Sequence, residues 1–105
     1  MRYSNRIEVK DPNVLTNEIA AFLKGRGFDL KNYNGETVFQ KGRGIMTAAQ
    51  YIVIHYEQNA VIVQAFVGAF GLSEMGLTGF VACVSKRPLK KTVAALEELI
   101  RLKGI

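Results

Sequence analysis

The chain has 105 residues, 49% hydrophobic and 22% charged, with fourteen Lys and Arg against nine Asp and Glu for a net charge of +5. These values exclude a disordered chain, and the length is that of one domain, residues 1–105, able to bury a core without disulfides. One cysteine, Cys83, and one histidine, His55, exclude an internal disulfide and a zinc site built from Cys and His.

No apolar signal core follows Met1-Arg2-Tyr3-Ser4-Asn5-Arg6, which with the lone cysteine points to a reducing cytoplasm. The run over residues 60–84 is long enough to raise a membrane span. Gln64, Glu74 and four glycines interrupt it, so no span is expected.

Residues 2–10 alternate, with Tyr3, Ile7 and Val9 on one side and Arg2, Ser4, Arg6, Glu8 and Lys10 on the other, the pattern of a half-buried strand. Asp11-Pro12 then starts a helix: the carboxylate accepts an orphan backbone N–H, and proline loses nothing at the first position. Leu15, Ile19, Phe22 and Leu23 give that helix an apolar stripe to about Lys24, where Gly25 and Gly27 supply stops. Residues 28–33 and 36–41 flank Asn34-Gly35, both tolerant of positive φ, which makes a two-residue hairpin with Leu30 opposite Phe39.

Most of the core is expected from residues 48–85. With Gln58-Asn59 at a hairpin turn, Tyr56 faces Val61, Ile54 faces Val63 and Ile52 faces Ala65 on a nearly wholly apolar side. The opposite side pairs His55 with Ile62, Val53 with Gln64 and Tyr51 with Phe66. Glycines are too dense over residues 68–77 for regular structure, and residues 79–84 read as a short last strand. Pro88 suits the first turn of a final helix running to about Lys103. Leu89, Val93, Leu96 and Ile100 form its buried face, Leu99 and Leu102 widen it, and Glu97 and Arg101 are spaced to pair.

The order β-α-β-β-β-β-(β)-α predicts an α+β two-layer sandwich, a mostly antiparallel sheet of four to six strands with two helices on one face. The other face would then carry Tyr51, Val53, His55, Ile62, Gln64 and Phe66, more apolar area than a monomer leaves in water.

Two function classes follow. The leading reading is a non-enzymatic binding module, a homodimer or binder of a protein partner, using Tyr51, His55, Ile62, Gln64 and Phe66 with Phe70, Leu72 and Met75 of the glycine-rich stretch, where Glu74 can orient a guest. The alternative is a nucleic-acid or phosphate-ligand binder. Lys86, Arg87, Lys90 and Lys91 crowd the start of the last helix, where the dipole disfavours cations and an anion relieves them, with Arg43 assisting. The tetrapeptide Lys-Gly-Arg-Gly occurs twice, at 24–27 and 41–44; each copy is explained more simply as a helix stop and as a bulge or loop. No cofactor or metal is expected. Catalysis has little to stand on: His55 lies in a strand, Cys83 in an apolar run, and no nucleophile elbow, phosphate-binding Walker loop or zinc-protease motif is present.

Overall fold

A computed structural model describes residues 2–42, 49–68 and 86–104. The elements are β1 (Tyr3–Glu8), a 3-10 turn (Pro12–Leu15), α1 (Thr16–Gly25), β2 (Asp29–Tyr33), β3 (Glu36–Lys41), β4 (Ala49–Glu57), β5 (Ala60–Gly68) and α2 (Lys86–Lys103). The sheet order is β1-β5-β4-β3-β2, with every neighbouring pair antiparallel. Strands β2 to β5 form a meander and β1 adds to the free side of β5. The two strands flanking α1 in sequence are therefore opposite edges of the sheet, so the connection that contains α1 crosses its width.

Local chemistry explains the element boundaries. Asp11 accepts from the backbone N–H of Asn13 at 3.1 Å and caps the 3-10 turn that leads into α1. Asn34 and Gly35 take φ of 52° and 85°, the left-handed pair of a type I′ turn, which sets Leu30 opposite Phe39. The turn at Gln58-Asn59 sets the expected β4–β5 register throughout: Tyr56 with Val61, Ile52 with Ala65, Tyr51 with Phe66.

One sheet face carries both helices. Leu15, Ile19 and Leu23 meet Leu89, Val93, Leu96 and Ile100 above Ile52, Val61, Val63, Ala65 and Val67, all buried. The expected stripes hold, except that Leu102 is exposed. Glu97 also departs from its sequence spacing. It is buried and accepts from the Tyr3 hydroxyl at 2.5 Å and the Asn5 amide at 3.0 Å, with no hydrogen bond or ion pair to Arg101. Burial and this carboxylate push the Tyr3 phenol up to about 12.

The opposite face corrects the sequence reading, because it is not open at its centre. Phe66 is 0% exposed, Val53 2% and Tyr51 8%, and they cluster with Val38, Ala49 and Tyr33 within this one chain. The reason is curvature. Pairing of β3 with β4 covers only Phe39–Lys41, and the β2–β3 hairpin then leaves β4. In a flat sheet β2 and β5 would stand about 14 Å apart, three strand spacings. Yet the Tyr33 ring lies 5.3 Å from that of Phe66 and 4.9 Å from that of Tyr51, which itself stacks on Phe66 at 4.8 Å. Arg2 reaches across the same face. Its guanidinium sits 4.3 Å from the Phe66 ring centre and donates to both Glu36 oxygens, at 2.8 and 3.0 Å, and to Gln64 at 3.2 Å.

Candidate anion-binding end

The helices run in opposite directions along the sheet. The 3-10 turn leading into Thr16, the first residue of α1, packs against β4, and the Val9 N–H beside it donates to the Asn59 carbonyl at the β4–β5 turn, while Gly27, just past the end of α1, lies against Lys41 at the far end of the strands. The end of α2 is held beside the end of β1, where the Lys10 N–H donates to the Gly104 carbonyl at 3.0 Å. Glu97 lies under Tyr3 and Asn5. Continuing back at 1.5 Å per residue, α2 begins near the end of the sheet where α1 finishes.

Three basic tracts distant in sequence thus share one end of the fold. The first copy of Lys-Gly-Arg-Gly closes α1, the second begins at the last residue of β3, and the basic run from Lys86 opens α2. The two copies touch. Gly27 has φ of 90°, and a Cβ there would stand 3.4 Å from Cε of Lys41, so the absence of a side chain lets the lysine stem lie along the helix exit. Lys41 Nζ is 5.9 Å from the Phe28 ring centre, and the Arg26 guanidinium is 4.6 Å from that of Phe22. These aromatic contacts hold both stems while leaving the residues exposed.

The balance of charge, rather than its pairing, separates the two ends: Lys10, Arg101 and Lys103 toward the β4–β5 turn are exposed and in no ion pair with a described acid, but Glu8, Asp11 and Glu57 stand at the same end. Toward the β4–β5 turn, Arg6 bonds Glu57 at 3.1 Å and Glu8 at 3.5 Å. At the other end Lys24, Arg26, Lys31, Lys41, Lys90 and Lys91 are all exposed, and none makes an ion pair with a described acid. Among the described residues one acid, Asp29, stands beside them. It lines an open depression of about 520 Å³ with Gly27, Lys31, Gln40 and Gly42. A second depression, about 620 Å³, lies at the opposite end among Arg6, Glu8, Val9, Lys10, Asn59 and Gly104.

The residues expected from sequence to meet a partner divide sharply. Tyr51 and Phe66 are core, so the area that motivated a covering partner is already covered by this chain. Ile62 and Gln64 are half-buried, and His55 is exposed opposite Ile62. Phe70, Leu72, Met75, Glu74, Cys83 and Arg43 lie outside the described residues, as does the short strand expected over 79–84. Lys86 and Arg87 stand at the start of α2, and Lys90 and Lys91 are exposed on it. Sequence reasoning passed over Lys24, Arg26, Lys31 and Lys41. Its one signal for them was the repeated tetrapeptide, which composition alone could not distinguish from two unrelated loop features.

Among the described residues no cluster of three His, Cys, Asp or Glu is placed to hold a metal ion. No helix among them is long and apolar enough to cross a membrane. No protein-family model, curated protein or solved structure matches the chain.

Proposed function

We propose that this protein is a binding domain for a phosphate-bearing ligand, engaged at the basic end of the sandwich. The observation that carries the reading is that, among the described residues, six exposed cations from four elements or their flanks share one end with a single acid, whereas the exposed cations toward the other end, Arg6, Lys10, Arg101 and Lys103, stand among Glu8, Asp11 and Glu57. Exposed cations in water hold loosely bound counterions, and a multiply charged anion that displaces them gains from their release. Partner binding through the aromatic sheet face loses its premise, since Tyr51 and Phe66 offer almost no surface.

The test is fluorescence anisotropy of a labelled oligonucleotide over a salt series, with the Lys90→Gln/Lys91→Gln double variant beside the native chain. Affinity falling linearly with log salt, and a slope shallower by about 1.4 in the variant, is expected for two lost single-strand phosphate contacts. An affinity indifferent to salt, or no binding at low salt, removes the reading.

A further inference from the structure

The two edges of the sheet differ in what they leave open. The two-residue turn at Asn34-Gly35 makes Tyr33 and Glu36 a hydrogen-bonded pair, and such pairs alternate along an antiparallel ladder. Asp29 and Lys31 therefore turn their N–H and C=O toward Gln40 and Val38. Those of Leu30 point outward from β2, where no other described group bonds them. The Leu30 side chain, opposite Phe39 on the helix side of the sheet, is 53% exposed. Asp29 and Lys31 flank it on the other side, exposed, and neither is in an ion pair with a described residue. On β1, the opposite edge, Arg6 is already bonded to Glu57 and Glu8, and Ile7 between Arg6 and Glu8 is 6% exposed.

We propose that β2 is a homodimer interface, to which a second copy of this chain adds its own β2, antiparallel about a two-fold axis at Leu30. Parity and charge select that register. Two identical antiparallel strands keep their hydrogen bonds only when one residue sits on the axis and meets itself, because N–H and C=O point outward at every second position. With Asp29 or Lys31 on the axis, like charges meet. An axis at Asn32 sets Leu30 and Asp29 against the turn residues Asn34 and Gly35. With Leu30 on the axis, its N–H and C=O exchange both bonds with Leu30 of the second copy, and the two exposed leucines come together. Asp29 of each copy then faces Lys31 of the other, twice, at the non-hydrogen-bonded positions where side chains lie closest. A five-residue edge is short beside the interface of a permanent dimer, so the association is reversible. It does not depend on the anion-binding reading: it takes one cation and one acid from the basic end together and uses none of Lys24, Arg26, Lys41, Lys90 and Lys91.

Sedimentation equilibrium of the full chain from micromolar to millimolar concentration, without nucleic acid or phosphate, tests this. The weight-average mass should rise toward twice that of one chain. Asp29→Lys and Lys31→Asp each set like charges at both contacts, and each variant alone should stay at the mass of one chain over the same range. Mixed in equal amounts they should associate, because every lysine at the two contacts then meets an aspartate. The double swap Asp29→Lys/Lys31→Asp should dimerise as the native chain does, and circular dichroism melts show that each variant keeps the fold. A native chain that stays at the mass of one chain at every concentration overturns the interface. So does a dimer that either single variant leaves unchanged, or a mixture of the two folded variants that gains no mass. None of these results bears on phosphate binding, which the salt series reads separately.

Discussion

The two faces of the sheet are both buried, by different means. Under α1 and α2 the cover is a continuous aliphatic layer, in which Leu23, Leu96 and Ile100 fill the space above Val61, Val63 and Ala65. On the other face the cluster is small and aromatic, with Tyr33 brought over it by curvature and Arg2 lying against Phe66 with its charge answered by Glu36. The first arrangement relies on apolar area and tolerates no polar group without a partner, which is why Glu97 there is bonded by Tyr3 and Asn5. The second tolerates polarity at its rim. A sheet can thus close one face with helices and the other with its own edge hairpin.

If the curled face is true core, truncating its centre should cost as much as truncating the helix side. Phe66→Ala should lose about 3–5 kcal/mol in urea unfolding, beside about 2–5 kcal/mol for Leu96→Ala. A loss below about 1 kcal/mol for Phe66→Ala, the range of many surface changes, would break the comparison.

Next in size is the seam joining α2 to β1. A Cβ on Gly104 would clash with Val9 Cγ1 and stand 2.7 Å from the Ile100 carbonyl oxygen. Gly104→Ala should therefore cost about 1–3 kcal/mol by overpacking, read from the thermal midpoint.

The polar group on the helix side gives a pH signature. Because the fold raises the Tyr3 phenol from 10.0 to about 12, it favours the neutral form. The associated stability is complete below pH 10 and is lost as pH rises through about 12. Burial also pushes the Tyr51 and Tyr56 phenols up, so some alkaline loss is common to all three. Denaturation midpoints for native and Tyr3→Phe chains across that interval isolate the Tyr3 share: the variant should fall less steeply, and parallel curves would deny it.

The smallest effect belongs to the rim of the curled face. Arg2→Lys keeps the charge but loses the forked contact with Glu36, and should cost about 1 kcal/mol or less, since a half-buried ion pair at the rim that keeps its charge, and a cation–aromatic contact, are each worth little. A loss as large as that of Phe66→Ala would make Arg2 the keystone of that face.

Every described strand and both helices were legible in the chain because their signals are local. Alternation marked β1, Asn34-Gly35 and Gln58-Asn59 set two hairpin registers, and apolar spacing outlined α1 and α2. Even the pairing of Tyr51 with Phe66 followed from turn length. The candidate site was half legible: Lys90 and Lys91 stood out as a run, whereas Arg26 and Lys41 looked like punctuation. Their association depends on β2–β3 returning along the end of α1, where Gly27 meets Lys41 fourteen residues on, a contact that no short spacing records.

Composition and short-range pattern thus determined the elements, their registers and the α+β class, since turn geometry and amphipathic periodicity act within a few residues. Tertiary structure alone decided the strand order, the closure of the second face and the gathering of charge at one end. Each depends on the path and curvature of segments far apart in the chain: the connection holding α1 crossing from one sheet edge to the other, the β2–β3 hairpin curling over Phe66, and α2 running back against α1. Burial at Phe66 and exposure at Lys41 are outcomes of those paths, and neither residue type dictates them.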